Sequence, residues 1–314
     1  SLSNNDTGSG VSNTIFGKTA GDMDGAGDYN VYMGEDAGGA GTQTDASDAN
    51  VGVGYKSLEA LTSGYSNIAI GAYAGYVMTS GTNNIAIGSW DANDGAPLQA
   101  NTGGHFNIAI GTAALETAND DSNDGTIAIG YGACKLQVGN GLSAQFANST
   151  VGIGYQALTA LTSGVGNTAV GYQALSTVTD GSTMTAVGYK AFKDASMTGG
   201  GKDGEGVAIG YLAGSEATTV DGVTYVGGGS GTTILGGYNT AVGSRTLYDT
   251  DEGSSSKASA GNTVLGYFAM GGTWTNVTID NCVAIGRNAL DAGLAHANVS
   301  GTVAIGRSAL GALT

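Results

Sequence analysis

The chain repeats one short hydrophobic pattern around a glycine. Fifteen segments carry an apolar residue directly before this glycine (position −1), Ile, Val or Thr at −3, and mostly Ala or Gly at −2. Position −4 is Asn in nine copies, and position +3 is Ala in twelve. This alternation of β-branched and small residues predicts a short strand that stops at the glycine. Seven successive central glycines are Gly71, Gly88, Gly111, Gly130, Gly154, Gly171 and Gly188.

Successive central glycines are 17 residues apart where the pattern is most regular, and further apart where polar segments such as 91–105 are inserted. Repeats of this length indicate a solenoid in which each repeat forms one coil. We therefore predict an all-β fold, a parallel β-solenoid or β-roll of about fifteen coils, as a single elongated domain over residues 1–314. The inserts are expected to project from one face. The least regular stretch is 215–235, with a degenerate copy expected at 232–237.

Stacking identical coils aligns identical positions, and each position predicts one role. The −1 residues form an Ile/Val row, and the −4 asparagines can form a ladder of side-chain hydrogen bonds. The central glycine fits a corner with positive φ or a close backbone approach. Small residues at −2 and +3 leave room for tight packing, and we expect at least one of these rows to contact another copy of the chain.

Charge and composition exclude several classes of partner. The net charge is −16, and the 10 Lys and Arg are scattered without a basic stripe, which argues against binding to nucleic acid or to an anionic membrane surface. No apolar run approaches the roughly 18 residues of a membrane span, so membrane insertion is not expected. The two cysteines, Cys134 and Cys282, lie in distant repeats, which predicts two buried free thiols.

Three segments carry a family resemblance: NIAIGAYA (67–74), CVAIGRNAL (282–290) and TVAIGRSAL (302–310). They resemble the head repeat of trimeric autotransporter adhesins, whose heads are left-handed parallel β-rolls with three chains side by side. The segment GYQALTALTSGVGNTAVGYQAL (154–175) is more similar to repeats in bacteriophage tail fibres. The likeness covers nearly the whole chain. It implies a side-by-side homotrimer, a fibre that meets a cell surface.

Tyrosine is the commonest residue at position +1, directly after the central glycine. Other copies carry Lys18, Glu35 or Arg287 there, which indicates an exposed position. Tyrosines on neighbouring coils can stack into a surface ladder that contacts sugar rings and offers hydroxyls to a glycan. Alternatively, they only stabilise the pairing of coils. The candidate receptor-binding residues are Tyr155, Tyr172, Tyr189 and Tyr211.

Acidic inserts suggest one possible cofactor, calcium, which prefers several oxygen ligands. Candidate ligands are Asp120, Asp121, Asp124, Asp249 and Asp251. The alternative is a solvated loop without metal, and otherwise no cofactor is expected.

The function expected from these features is a non-enzymatic structural and adhesive fibre segment. A bacteriophage tail fibre that binds a host cell-surface glycan or protein is the first interpretation, and the head of a bacterial trimeric surface adhesin is the second. A tail spike that degrades polysaccharide is a third interpretation, weakened because the carboxylates lie in inserts rather than on rigid coil positions. The expected location is extracellular, on a virion tail or alternatively on the bacterial surface.

Overall fold

The structure is a computed structural model, and its described part is all-β. The residues it describes are 10–21, 27–39, 43–44, 46–118, 123–137, 149–195, 205–248, 259–272, 278–291 and 300–311. These ranges contain sixteen strands of three residues each. The chain divides into two compact units, an N-terminal unit Ser1–Gly166 and a C-terminal unit Asn167–Thr314.

Each unit contains eight strands. Those of the N-terminal unit are β1 (Thr14–Phe16), β2 (Val31–Met33), β3 (Val51–Val53), β4 (Ile68–Ile70), β5 (Ile85–Ile87), β6 (Ile108–Ile110), β7 (Ile127–Ile129) and β8 (Val151–Ile153). Those of the C-terminal unit are β9 (Thr168–Val170), β10 (Thr185–Val187), β11 (Val207–Ile209), β12 (Thr224–Val226), β13 (Thr240–Val242), β14 (Thr263–Leu265), β15 (Val283–Ile285) and β16 (Val303–Ile305).

Within each unit, consecutive strands pair in parallel and in the same register. The β4–β5 pair, for example, places Ala69 beside Ala86 and Ile70 beside Ile87. Every repeat therefore contributes the same position to the same row, which confirms the predicted parallel β-solenoid. One strand was not predicted. β12 lies inside the irregular stretch 215–235, and the degenerate copy expected at 232–237 forms no strand.

The middle residue of each strand points into the solenoid, and its two neighbours point out. Ala69 and Ala86 at −2 are buried, as is Ala74 at +3, whereas Ile68 and Ile70 are exposed. Both small-residue rows therefore line the chain's own core. The prediction that one of them contacts another copy is wrong, because their side chains are already enclosed. Within each strand, the side chains that point outward are those at −3 and −1.

Core volume is exchanged between positions −2 and +4. Most regular coils combine a small residue at −2 with a large one at +4, as Ala169 and Leu175 do in the β9 coil. The β2 and β12 coils reverse this with buried Tyr32 and Tyr225 at −2. Glycine then occupies +4, and a Cβ atom at Gly231 would lie 2.6 Å from the Tyr225 ring. Interiors are close-packed, so bulk at one position must be removed at the other.

The asparagine ladder forms as predicted. The backbone N–H of Asn67 donates to Asn50 Oδ1 at 3.0 Å, and that of Asn84 donates to Asn67 Oδ1 at 3.0 Å. In the C-terminal unit, Asn262 Nδ2 donates to Asn239 Oδ1 at 3.1 Å. These side chains are buried and link one coil to the next, so they satisfy each other's polar groups inside the core.

The central glycines have both properties expected of them. Gly130 has φ of 124°, and a Cβ atom there would lie 2.6 Å from the carbonyl oxygen of Gly154 on the next coil. Backbone conformation and close approach thus both require glycine. Cys134 and Cys282 are buried thiols rather than halves of a disulfide, as predicted, and burial raises the pKa of the Cys134 thiol to about 12.

Candidate glycan-binding surface

The four candidate tyrosines are exposed at the corner that follows each strand. Tyr155 lies in the N-terminal unit, and Tyr172, Tyr189 and Tyr211 lie in the C-terminal unit. Their position follows from the backbone: the central glycine turns the chain, and the next side chain points away from the core. Because coils repeat at the strand spacing of about 4.8 Å, equivalent side chains come within contact distance.

The tyrosines form the predicted ladder inside each unit. Ring centroids of Tyr172 and Tyr189 are 5.2 Å apart with 10° between planes, and those of Tyr189 and Tyr211 are 5.3 Å apart with 14° between planes. In the N-terminal unit, Tyr131 stacks on Tyr155 at 5.2 Å. Such offset stacking adds about 0.5–1.5 kcal/mol per pair to the free energy of unfolding.

Stacking limits what these rings can offer to a ligand. Each ring covers much of its neighbour's face, so a ring inside the ladder presents mainly its edge and its hydroxyl. Tyr189, with a neighbour on both sides, is 41% exposed, whereas Tyr211 at the end of its row is 60% exposed. The ladder therefore offers ring edges and hydroxyls along its length, and an open ring face at its Tyr211 end. Tyr211 alone of Tyr172, Tyr189 and Tyr211 has a neighbour on one side and a cleft on the other.

A cleft of about 300 Å³ adjoins Tyr211, between the coils of β11, β12 and β13. The sequence indicated only an irregular stretch over 215–235, and the cleft was not predicted. The signal was present: in VTYVGGGSG the central glycine is Gly227, so position +1 is Gly228. Recognising this coil would have shown a gap in the tyrosine row.

The insert 91–105 was expected to project from one face, and only its first part does. Residues 91–93 are exposed, but Ala96, Pro97 and Leu98 are buried in the solenoid. Gly75 N donates to the Pro97 carbonyl at 3.1 Å, as one coil does to the next. Most of this insert is therefore part of the coil wall rather than a free binding loop.

An ion-pair cluster fixes the exposed start of this insert. Lys135 Nζ lies 2.5 Å from Asp94 and 3.3 Å from Glu116, and the Tyr131 hydroxyl donates to Asp94. The Lys135 ammonium and then the Tyr131 hydroxyl hold the pKa of the Asp94 carboxyl below its usual range, while the Asp94 carboxylate raises the pKa of Tyr131. The Tyr131 hydroxyl thus binds the insert through Asp94.

Of the calcium candidates, Asp120, Asp121, Asp249 and Asp251 lie outside the described residues. Asp124 is described, and its carboxylate accepts the backbone N–H of His105 at 2.6 Å, which ties two coils together. Among the described residues, no group of three or more His, Cys, Asp or Glu side chains is placed to hold a metal ion.

Across the described ranges, the chain has no helix with the length and apolar character needed to cross a bilayer. No protein-family model, no curated protein and no solved structure matches the chain.

Proposed function

We propose that this chain is a structural and adhesive segment of an extracellular homotrimeric fibre, with a bacteriophage tail fibre as the first assignment. The observation that carries the proposal is the outward face formed by the −1 side chains, which are apolar on all sixteen described strands, and by the −3 side chains, which are Ile, Val or Thr. In β4, Ile68 and Ile70 are both exposed, and Ile209 of β11 is exposed in the same way. Exposed apolar rows that recur on successive strands are typical of an interaction surface.

The partner that best fits this face is another copy of the chain. The rows repeat at the spacing of paired strands, so a matching surface must have the same period. A second and a third copy supply it, with Ile and Val packing against Ile and Val. That three copies take part rests on the resemblance of the repeats to trimeric β-roll heads.

Adhesion is supported by the repeated tyrosine hydroxyls. Each unit presents its tyrosines at regular intervals, and three chains multiply the number of equivalent contacts. Weak contacts repeated in this way give avidity without one strong site. The target is a host cell-surface glycan or protein.

Measuring the mass in solution tests the trimer. Light scattering should give about three times the 30.7 kDa of the chain. The double variant Ile70→Lys/Ile87→Lys places charges on the outward rows of β4 and β5, and it should reduce the mass towards that of the monomer. Ser89→Lys, an exposed change at the neighbouring +1 position, is the matched control and should leave the trimer intact. A monomeric wild-type chain would overturn the proposal.

Binding to cells tests the adhesive role. The labelled protein should bind whole host cells and should not release reducing ends from their capsule. Release of reducing ends would favour the polysaccharide-degrading spike instead. Neighbouring genes for tail proteins would favour the phage assignment, and a membrane anchor in the same reading frame would favour the bacterial adhesin.

A further inference from the structure

The tyrosine row of the C-terminal unit ends where two side chains are missing. In the β12 coil, positions +1 and +2 are Gly228 and Gly229, and the next coil places Ser244 and Arg245 at those positions. Tyr211 forms one wall of the resulting cleft, and Tyr248 and Arg245 also line it. Its volume of about 300 Å³ is at the lower end of the range for small-molecule sites, which suits one ring rather than an extended chain.

We propose that this cleft binds a single sugar ring that carries a carboxylate, as in an acidic surface polysaccharide. The inference rests on the proposed adhesive function and names the ligand class and the site within it. The negative charge proposed for the ligand is inferred from Arg245, which lines the cleft. Its side chain is exposed and forms no ion pair with a carboxylate of any described residue. The planar guanidinium of Arg245 can donate two parallel hydrogen bonds to a carboxylate.

The other lining groups fit the rest of the sugar. Tyr211 turns a ring face towards the gap above Gly228, where the apolar side of a pyranose can pack, and Tyr248 is half-buried in the wall. The Thr232 hydroxyl donates to the Leu212 carbonyl at 2.9 Å, and the Ser244 hydroxyl donates to the Gly228 carbonyl at 3.2 Å. Both hydroxyl oxygens keep lone pairs that can accept hydrogen bonds from sugar hydroxyls.

The charge of the chain sharpens the ligand class. A protein of net charge −16 repels anions at long range, so an anionic ligand needs a local cation. The cleft lining contains one cation, Arg245. One guanidinium balances one carboxylate, whereas a phosphate ester carries up to two charges at neutral pH. A singly charged uronic acid residue is therefore favoured over a phosphorylated sugar.

The repeat itself supplies a variant that fills the cleft and preserves the fold. Position +1 is tyrosine in seven copies, so the backbone there accommodates that side chain. A Cβ atom at Gly228 would meet only the Tyr211 carbonyl oxygen, at 4.0 Å. In Gly228→Tyr, the new ring should stack on Tyr211 and occupy the space of the sugar. Arg245→Gln removes the charge alone, and Arg287→Gln, at a +1 position outside the cleft lining, is the matched control.

The experiment is calorimetric titration of the full chain with a glucuronic-acid disaccharide. The same disaccharide with its carboxyl reduced to the alcohol, and a sugar phosphate, serve as comparison ligands. The wild type and Arg287→Gln should bind the acidic disaccharide equally. Arg245→Gln should weaken binding at least tenfold, and Gly228→Tyr should abolish it. Circular dichroism melts confirm that each variant is folded.

Three results would overturn the inference: no binding by the wild type, equal binding of the reduced disaccharide, or equal binding by Arg245→Gln. Tighter binding of the sugar phosphate would overturn the carboxylate assignment. The proposed adhesion is measured separately by whole-cell binding. If cells bind equally to the wild type and to Gly228→Tyr, adhesion stands and the cleft is not its site. If the protein binds the disaccharide but does not bind cells, the cleft is a sugar site and the proposed adhesive function is wrong.

Discussion

The coils of β10 and β12 share one backbone pattern but distribute their side chains differently over it. In the β10 coil, Ala186 points inward, and Tyr189 and Lys190 lie on the surface. In the β12 coil, Tyr225 fills the interior, and the surface positions are Gly228 and Gly229. The comparison teaches that hydrogen bonding between coils fixes the backbone, while core volume can lie at +4, as Phe192 does in the β10 coil, or at −2, as Tyr225 does in the β12 coil. The cleft lies on the outer side of the β12 coil, whose +1 and +2 positions carry no side chains.

The largest effect is expected from emptying the β12 interior. Tyr225→Ala removes a buried ring and should lower the free energy of unfolding by about 3–5 kcal/mol. Adding Gly231→Leu restores the combination of small −2 and large +4 residues found in other coils, and should recover part of that loss. Gly231 has φ of 58°, close to the 51° of Leu175, so its backbone already suits leucine. Urea unfolding measures both variants.

Gly231→Leu alone is the control for this exchange, because its Cβ would collide with the Tyr225 ring and should destabilise the protein. If the double variant is no more stable than Tyr225→Ala, the side chains at −2 and +4 do not fill the same space in the core.

The next largest effect is the cost of replacing a central glycine by alanine. This cost should be high where the backbone requires glycine and low at Gly228, where the glycine only leaves room for the cleft. Gly188 in the β10 coil has φ of 136°, and a Cβ there would lie 2.7 Å from the carbonyl carbon of Gly210. Gly188→Ala should therefore cost at least about 1–3 kcal/mol. Gly228→Ala should change stability by less than about 0.5 kcal/mol, as for an ordinary surface substitution. Thermal melts of the two alanine variants test the contrast, and equal destabilisation would contradict it.

Much of the fold could be predicted because the same residue types recur at the same positions in many copies of the repeat. The Asn row, the central glycines and the outward tyrosines each appear in several copies, so parallel stacking follows from their alignment. The inward direction of the −2 and +3 alanines was not predicted, because alternation along a strand does not say which face is the core. The pattern predicted an Ile/Val row at −1 and a contact to another copy at the small residues of −2 or +3. In the structure the small residues line the core, and the −3 and −1 side chains point outward.

The exposed tyrosines of the site could be predicted from the sequence, but the cleft beside them could not. Exposure of Tyr155, Tyr172, Tyr189 and Tyr211 follows from the charged residues that share their position. The cleft does not follow from any residue that is present, because it arises where side chains are absent. Gly228 could have been recognised only after Tyr225 was accepted at a position that most coils give to alanine.

A smaller effect tests the surface of the β10 coil. Tyr189 stacks on both Tyr172 and Tyr211, so Tyr189→Ala should lower the free energy of unfolding by about 1 kcal/mol. The same change frees a face of each neighbour. Unfolding in urea measures the loss, and Tyr65→Ala, an exposed tyrosine of the N-terminal unit outside this row, is the control. An equal effect at Tyr65 would show that stacking along the row adds nothing.

The smallest effect comes from making the surface of the β12 coil resemble that of β10. Gly228→Tyr extends the row Tyr172, Tyr189 and Tyr211 by one ring, and the added stacking should raise the free energy of unfolding by about 0.5–1 kcal/mol. The gain should disappear when Tyr211 is replaced by alanine, because the new ring then lacks its partner. A double-mutant cycle of these two changes, followed by urea unfolding, measures the coupling. A coupling of zero would mean that the coil geometry at β12 no longer brings position +1 onto the tyrosine row, and that the cleft is shaped by the backbone rather than by two missing side chains.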